Sequence, residues 1–435
     1  MLAHVLHFLQ TTRWSDLPPA VQHQARRCLL DGMAALLAGT QTPVARLTAA
    51  FAAAHFAGGE ATILATGARV SPVGATLANG FAANALDIDD GYRPIKGHPG
   101  VCVLPALLAA AECRPLSGAE FLTVLVLGYE IAIRAGLIRH ATTTTYHSSG
   151  SWGAIAAAAV VGRVFGFDSS SLCEAMGAAE YLAPIAPMMK GIDRPNMGQD
   201  STGWGAMVGM TAALMAAQGF TGVHPLFDDS PNPDWVLSLG HRYEILNLYF
   251  KPYACCRWTQ PAIAAAIRLA RAQRLAAADI AAIRVRTFAA AARLSRAHPT
   301  NTEEAQYNLA YPIAAALIDG ELGPRQVLPP RLFDPDLLAL ADRVEVEVEP
   351  DYEAAFPARA FADVTLHTRD GRELRSGRTE APWDASQPPT DEALRAKFLQ
   401  LTTPVLGAAR AQALADRIER FEQEPDARVV VTGDW

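Results

Sequence analysis

Residues 85–100 read ALDIDDGYRPIKGHPG. Three carboxylates (Asp87, Asp89 and Asp90), an amine (Lys96) and an imidazole (His98) fall within a dozen positions of an otherwise apolar, alanine-rich region. Groups of these kinds, held close together, transfer protons. His98 stands before Pro99, and the residue preceding a proline is pushed towards an extended backbone. The apolar run VCVLPALLAAAE that follows predicts a helix, which places His98 just ahead of a helix N-terminus. The partial positive charge there favours a neutral imidazole and attracts anions. Asp87 would raise the pKa of the ring and Lys96 would lower it.

Further groups of the same character recur along the chain. TTTTYHSSGSWGA places Tyr146 and His147 in a polar loop that feeds an alanine-rich helix. Lys190 follows Met188-Met189 in a long loop rich in Gly, Pro, Asn and Asp. Burial there would lower its pKa, whereas a snorkelling lysine would stay solvated. YFKPYACCRWTQPAIAAA carries Lys251, Cys255, Cys256 and Arg257. Together, His98, His147, Lys190, Lys251 and Arg257 suit a substrate with several carboxylates. They also suit abstraction of a proton α to a carboxylate, a step that builds charge on oxygens which cationic donors stabilise. His, Lys or Asp could carry the proton.

Other chemistries lack their signatures. No GxGxxG follows a predicted strand, and no GxxxxGK[ST], GxSxG or HExxH occurs, so dinucleotide, P-loop, hydrolase-elbow and zincin readings have no support. The six cysteines are scattered and form no CxxC; reduced thiols and no structural metal are expected. Net charge is −7 with no basic block, which argues against nucleic-acid binding. Apolar runs such as FLTVLVLGY and GAIAAAAVVG fall short of the ~18–20 residues that span a bilayer. The N-terminus lacks a basic n-region and a cleavage site, so a cytoplasmic protein without a membrane partner is expected.

The elements that must position these groups change character along the chain. With 435 residues, roughly two to three domains are expected. Residues 1–250 read as one helix after another. In SDLPPAVQHQARRCLLDGMAALLAG, Cys28, Gly32, Ala35 and Leu36 recur at helical spacing, and Gly39 falls where a C′ glycine belongs. The contact faces are rich in Ala and Gly, which lets helix axes approach closely. After about residue 250, DIAAIRVRTF and the strictly alternating RVEVEVEP read as strands, and FADVTLHTRDGRELRSG as a hairpin turning at Arg369-Asp370-Gly371. ASQPPTDEALRAKFLQL returns to helix, with Thr390 as N-cap. The expectation is a mostly α protein: a large helical domain over 1–246 and 384–435, and a smaller α+β domain over 247–383.

ALDIDDGYRPIKGHPG, LGYEIAIRAG, YHSSGSWGAIAAAA, KPYACCRWTQPAIAAA, AQYNLAYPIAAALIDG and DEALRAKF, in that order, resemble the MmgE/PrpD family, which includes 2-methylcitrate dehydratase, cis-aconitate decarboxylase and iminodisuccinate epimerase. The resemblance implies an all-helical large domain with a smaller α+β lid, a cofactor-free homodimer and a site in the cleft between the domains. It places Asp87 and His98 in the Asp/His motif, His147 as the loop histidine and Lys190 near the site lysine. Lys251 opens the lid motif, and Tyr307 is the tyrosine of QYN. On this reading Asp87, His98, His147 and Lys190 are catalytic candidates. Tyr146, Lys251, Arg257 and Tyr307 bind substrate, Asp89 and Asp90 hold the loop, and no metal or cofactor takes part.

The chain also departs from the family pattern. Gly91 stands where Thr or Ser is common, and Cys256 lies near a histidine of the decarboxylase pattern. GIDRPNMGQDSTGW is longer than the usual segment and adds Asp193, Arg194 and Asn196. The implied activity is a lyase acting on a small di- or tricarboxylate, a dehydratase first and a decarboxylase next. Epimerisation of an iminodisuccinate-like dicarboxylate, or carboxylate binding without catalysis, stays open.

Overall fold

The computed structural model describes residues 1–432. The helix Pro19–Gly39 begins on a proline, whose missing N–H is no loss in a first turn. Cys28, Gly32, Ala35 and Leu36 are all buried on it, as their spacing predicts. Gly39 has a different role from the expected cap. It is the last helical residue, and any side chain there would overlap the carbonyl of Ala82 on the helix Pro72–Asn84.

Close approach of this kind builds the helical body. The helices Pro72–Asn84, Gly100–Cys113, Gly118–Thr142, Gly150–Phe165 and Thr202–Ala216 pack against one another. The seam between Gly150–Phe165 and Thr202–Ala216 is made of Gly and Ala, with Gly205 against the Gly150 backbone and Gly209 against that of Ala154. Backbone on backbone at this range gains dispersion contact at the density of a packed interior.

Two features differ from the sequence expectation. The run FLTVLVLGY by itself is too short to span a bilayer, but the helix Gly118–Thr142 that contains it is long and apolar enough to cross a membrane by length and composition. It lies buried in the protein, and carries the ion pair Glu130–Arg134 (2.5 Å) on its buried surface. Glu130 also accepts the backbone N–H groups of Glu244 and Ile245. The second difference is an antiparallel hairpin, β1 (Ala57–Ile63) and β2 (Ala68–Val70), inside the region expected to be wholly helical. Its glycines blur the strand alternation, and its order comes from a tertiary contact: buried Glu112 accepts from Thr62 and pairs with Arg69 at 2.6 Å.

The second sheet lies where alternation predicted strands. β3 (Ile280–Thr287) is flanked by β4 (Val344–Val348), parallel, and β5 (Phe361–Thr368), antiparallel. β6 (Glu373–Arg375) and β7 (Thr379–Glu380) both pair with β5. The turn after β5 has Gly371 at φ +86°, a left-handed conformation that glycine adopts without steric cost. The helix Gln260–Gln273 covers β5 and packs on Ala310–Asp319.

The helix Asp391–Leu406 starts on Thr390, whose side chain accepts the N–H of Ala393. It packs back onto Pro19–Gly39. There buried Lys397 donates to Asp31 (2.5 Å) and to the carbonyl of Ile88 (2.7 Å). The end of the chain thus braces the loop that begins at residue 85.

Candidate active site

The loop between the helices Pro72–Asn84 and Gly100–Cys113 is held at both ends. Asp87 takes a left-handed backbone (φ +47°) and Lys96 another (φ +49°). Gly91 exchanges backbone hydrogen bonds with Tyr249 (3.0 and 2.9 Å). A side chain at 91 would overlap the Tyr249 phenol, which accounts for glycine at this position.

These constraints aim the charged groups inward. His98 Nδ1 is 2.7 Å from Asp89 Oδ2, and Nε2 is 3.4 Å from Asp87 Oδ1. The backbone N–H of His98 donates to Ser149 Oγ (3.0 Å). Lys251 Nζ donates to both the side chain and the carbonyl of Asp87. A continuous chain of alternating charge, Lys251–Asp87–His98–Asp89, results, and every member is buried. Asp89 also accepts from Asn84 (3.0 Å), and Asp90 accepts the hydroxyl of Tyr129.

This arrangement decides protonation. Burial opposes charge on the His98 ring, but Asp89 outweighs it, with help from Asp200, and pushes the pKa up to about 9. The ring is therefore an imidazolium at neutral pH. The neutral imidazole expected from the helix terminus is overturned, because a carboxylate in contact acts more strongly than the fractional charge of a helix end. Asp89 sits below its ordinary value despite burial, because His98 and Lys251 hold its charge. Lys251 is raised by Asp87 against its own desolvation.

Around His98 opens a cavity of about 90 Å³. Asp87, His98, Tyr146, Lys251, Arg257 and Tyr307 all line it, so six of the eight site residues expected from sequence converge across 220 positions (307 − 87). Arg257 stacks on the Tyr249 ring at 4.3 Å and donates to Asp384 at 3.2 Å. Arg93 also pairs with Asp384, and Lys96 Nζ lies 5.2 Å from the centre of the Tyr146 ring. Trp258, Phe356, Met188 and Ile192 supply apolar wall. Cys256 faces the cavity with its thiol pushed up to about 12 by burial; Cys255 is buried and does not line it.

His147 and Lys190 do not join this cavity. The backbone at His147 pairs with Pro187 as an isolated bridge, and neighbouring side chains of extended chain point to opposite sides. Tyr146 takes the cavity side, while His147 lines a separate pocket with Arg139, Glu180 and Tyr181. Lys190 lies on the short helix Met188–Asp193. Met188 and Ile192, one turn apart, face the cavity, which leaves Lys190 exposed on the opposite side.

Sequence reasoning also missed contributors. Asp89 contacts His98 and does more than hold the loop. Its two-residue spacing from Asp87 was visible, but only the left-handed turn at Asp87 brings both carboxylates to one ring. Asp200, Arg93, Tyr249 and Asp384 line the cavity too, and no local pattern marks them. Asp87, Asp89 and His98 lie near enough to hold a metal ion. The ammonium of Lys251 already sits on Asp87, and the His98 ring carries its own positive charge beside Asp89.

The cavity draws its His, Asp, Lys and Arg side chains from both the helical body and the sheet-bearing region. The chain belongs to the MmgE/PrpD family: the MmgE/PrpD N-terminal domain matches residues 3–244, and the C-terminal domain matches residues 253–423. It is 25% identical over 464 aligned positions to the cis-aconitate decarboxylase-like protein oryM of Aspergillus oryzae, covering 98% of this chain and 95% of that protein. It is 24% identical to the cis-aconitate decarboxylases of Mus musculus (98% and 91% covered) and Homo sapiens (99% and 93% covered).

Proposed function

We propose that this cavity is the active site of a cofactor-independent lyase acting on a small di- or tricarboxylate, with proton transfer at a carbon α to a carboxylate. The observation that carries the reading is the buried chain Lys251–Asp87–His98–Asp89, which opens onto a cavity that also holds Lys96, Arg93 and Arg257. Cationic side chains there would anchor substrate carboxylates and stabilise charge as it develops on them. A charged His98 is a proton donor, suited to protonating a departing hydroxyl or a carbanion.

The named relatives are cis-aconitate decarboxylases and a cis-aconitate decarboxylase-like protein, which supports a lyase in general. Dehydration is favoured over decarboxylation in this chain. Cys256 stands near a histidine of the decarboxylase pattern, and a thiol with a pKa of about 12 neither takes up nor delivers a proton readily at neutral pH.

The test is NMR of citrate, 2-methylcitrate, malate and cis-aconitate with the protein in deuterated water. Loss of water, with a new conjugated acid absorbing in the ultraviolet, is the expected result. Loss of CO2 moves the assignment to decarboxylase. Deuterium entering a substrate carbon without loss of either makes the protein an epimerase. No change in any acid reduces it to a binder.

A further inference from the structure

We propose that Asp200 is a further catalytic residue of this cavity, the carboxylate base that removes the substrate's α-proton while His98 acts as the acid. The proposal rests on the reading of the site as one for carboxylate proton transfer. Asp200 lines the cavity and is buried. The other carboxylates in the wall are neutralised: Asp87 by Lys251, Asp384 by Arg93 and Arg257, Glu380 by Arg359. Asp200 has no cation within ion-pair distance among the described residues. It accepts two neutral hydroxyls, from Tyr307 (3.0 Å) and Ser149 (3.2 Å). A carboxylate offers about four lone-pair positions, so acceptor capacity is left over.

A carboxylate without a direct ion-pair partner, facing a site for anions, weakens ground-state binding. It persists usefully only if it acts in the reaction. Its aim is also imposed from outside. Asp200 and Ser201 are consecutive non-glycine residues in the left-handed region (φ +53° and +52°), a conformation that surroundings must enforce. The enforcement is visible: the helix starting at Gly150 presses on the Ser201 carbonyl, where even a Cβ at 150 would overlap. Ser149 ties the two groups together, since its hydroxyl accepts from the His98 backbone and donates to Asp200.

In the elimination, Asp200 takes the α-proton, and the C–H electron pair passes into the adjacent carboxylate as an enediolate. That pair then forms the C=C bond as the β C–O bond breaks. The imidazolium of His98 gives its proton to the departing oxygen, which leaves as water. Asp200 then releases a proton to solvent and His98 regains one, so the cycle closes without another reactant.

The test compares wild type, Asp200→Asn and Asp200→Gly on the panel of acids above, in deuterated water. Asn tolerates the left-handed backbone as Asp does, and Gly does so more readily. Asp200→Asn is expected to lose about 10²–10⁴-fold in kcat, with KM unchanged or lower and its thermal midpoint close to wild type. Asp200→Gly is expected to be equally slow and to recover at least about tenfold in added sodium formate, since a small carboxylate can replace a base but not a structural strut. If Asp200→Asn fails to fold, the formate arm decides. Near-wild-type kcat in Asp200→Asn, or an Asp200→Gly enzyme that formate does not restore, overturns the assignment alone. A wild-type protein that exchanges or eliminates on none of the acids overturns the proposed function, and this assignment with it.

Discussion

Asp89 Oδ2 lies 2.7 Å from His98 Nδ1 inside the protein, and this contact sets the charge of the ring. The His98 resonance in histidine-labelled protein is expected to titrate near 9, far from the ordinary 6.5. In Asp89→Asn, burial and Lys251 act without their main opponent, so the midpoint falls towards or below 6.5. A raised histidine pKa means the native state holds the proton more tightly than the unfolded chain. Its stabilisation is complete below 6.5, fades above that, and is lost as pH passes about 9. Denaturant midpoints of wild type and Asp89→Asn should therefore converge over that interval. A constant gap between them would exclude this linkage.

His98→Asn keeps a hydrogen-bond donor near Asp89 but cannot transfer a proton. Turnover is expected to drop by about 10²–10⁴-fold, and the melting temperature to fall as well, because Asp87 and Asp89 lose the buried positive charge between them. An enzyme that keeps near-full turnover would make His98 structural.

Lys251 and Asp87 form a buried pair with little access to water. Removing one member strands the other charge, which typically costs about 3–5 kcal/mol. Lys251→Met should show a loss of that order by urea denaturation. Lys251→Met combined with Asp87→Asn should recover much of it. Additive losses in the double variant would show that the pair does not act as a unit.

Asp90 is buried beside Asp31, and its carboxyl is pushed up to about 8. It therefore keeps a proton on folding, and wild-type stability should decline as pH rises from about 4 to 8. Asp90→Asn, a neutral isostere that still accepts from Tyr129, should remove that decline. Asp90→Ala leaves the Tyr129 hydroxyl buried without its acceptor and should cost about 1–3 kcal/mol. Equal effects of Asn and Ala across pH would refute the protonated state.

Dialysis against a chelator is expected to leave the rate unchanged. The carboxylates that could hold an ion, Asp87 and Asp89, already face Lys251 and His98. Activity lost on chelation and restored by one divalent metal would reverse this.

The sequence alone determined much about this protein. Helical spacing around Cys28 and Leu36, strict alternation over 344–348 and the Thr390 cap are local properties, and the folded chain keeps them. Six ordered motifs pointed to the family and to six residues that meet in the cavity. Local pattern could not tell on which side of the backbone a side chain falls. Tyr146 and His147 are neighbours with equal claims in sequence, yet an extended strand sends them to different cavities. Lys190 was lost because Met188 and Ile192 took the inward face of one short helix turn. Asp200 was hidden because its partners, Ser149 and Tyr307, are 51 and 107 positions away. The helix-terminus argument for a neutral His98 failed for the same reason. A pKa follows distances of a few ångströms and the loss of water around the group, and both exist only once the chain has folded.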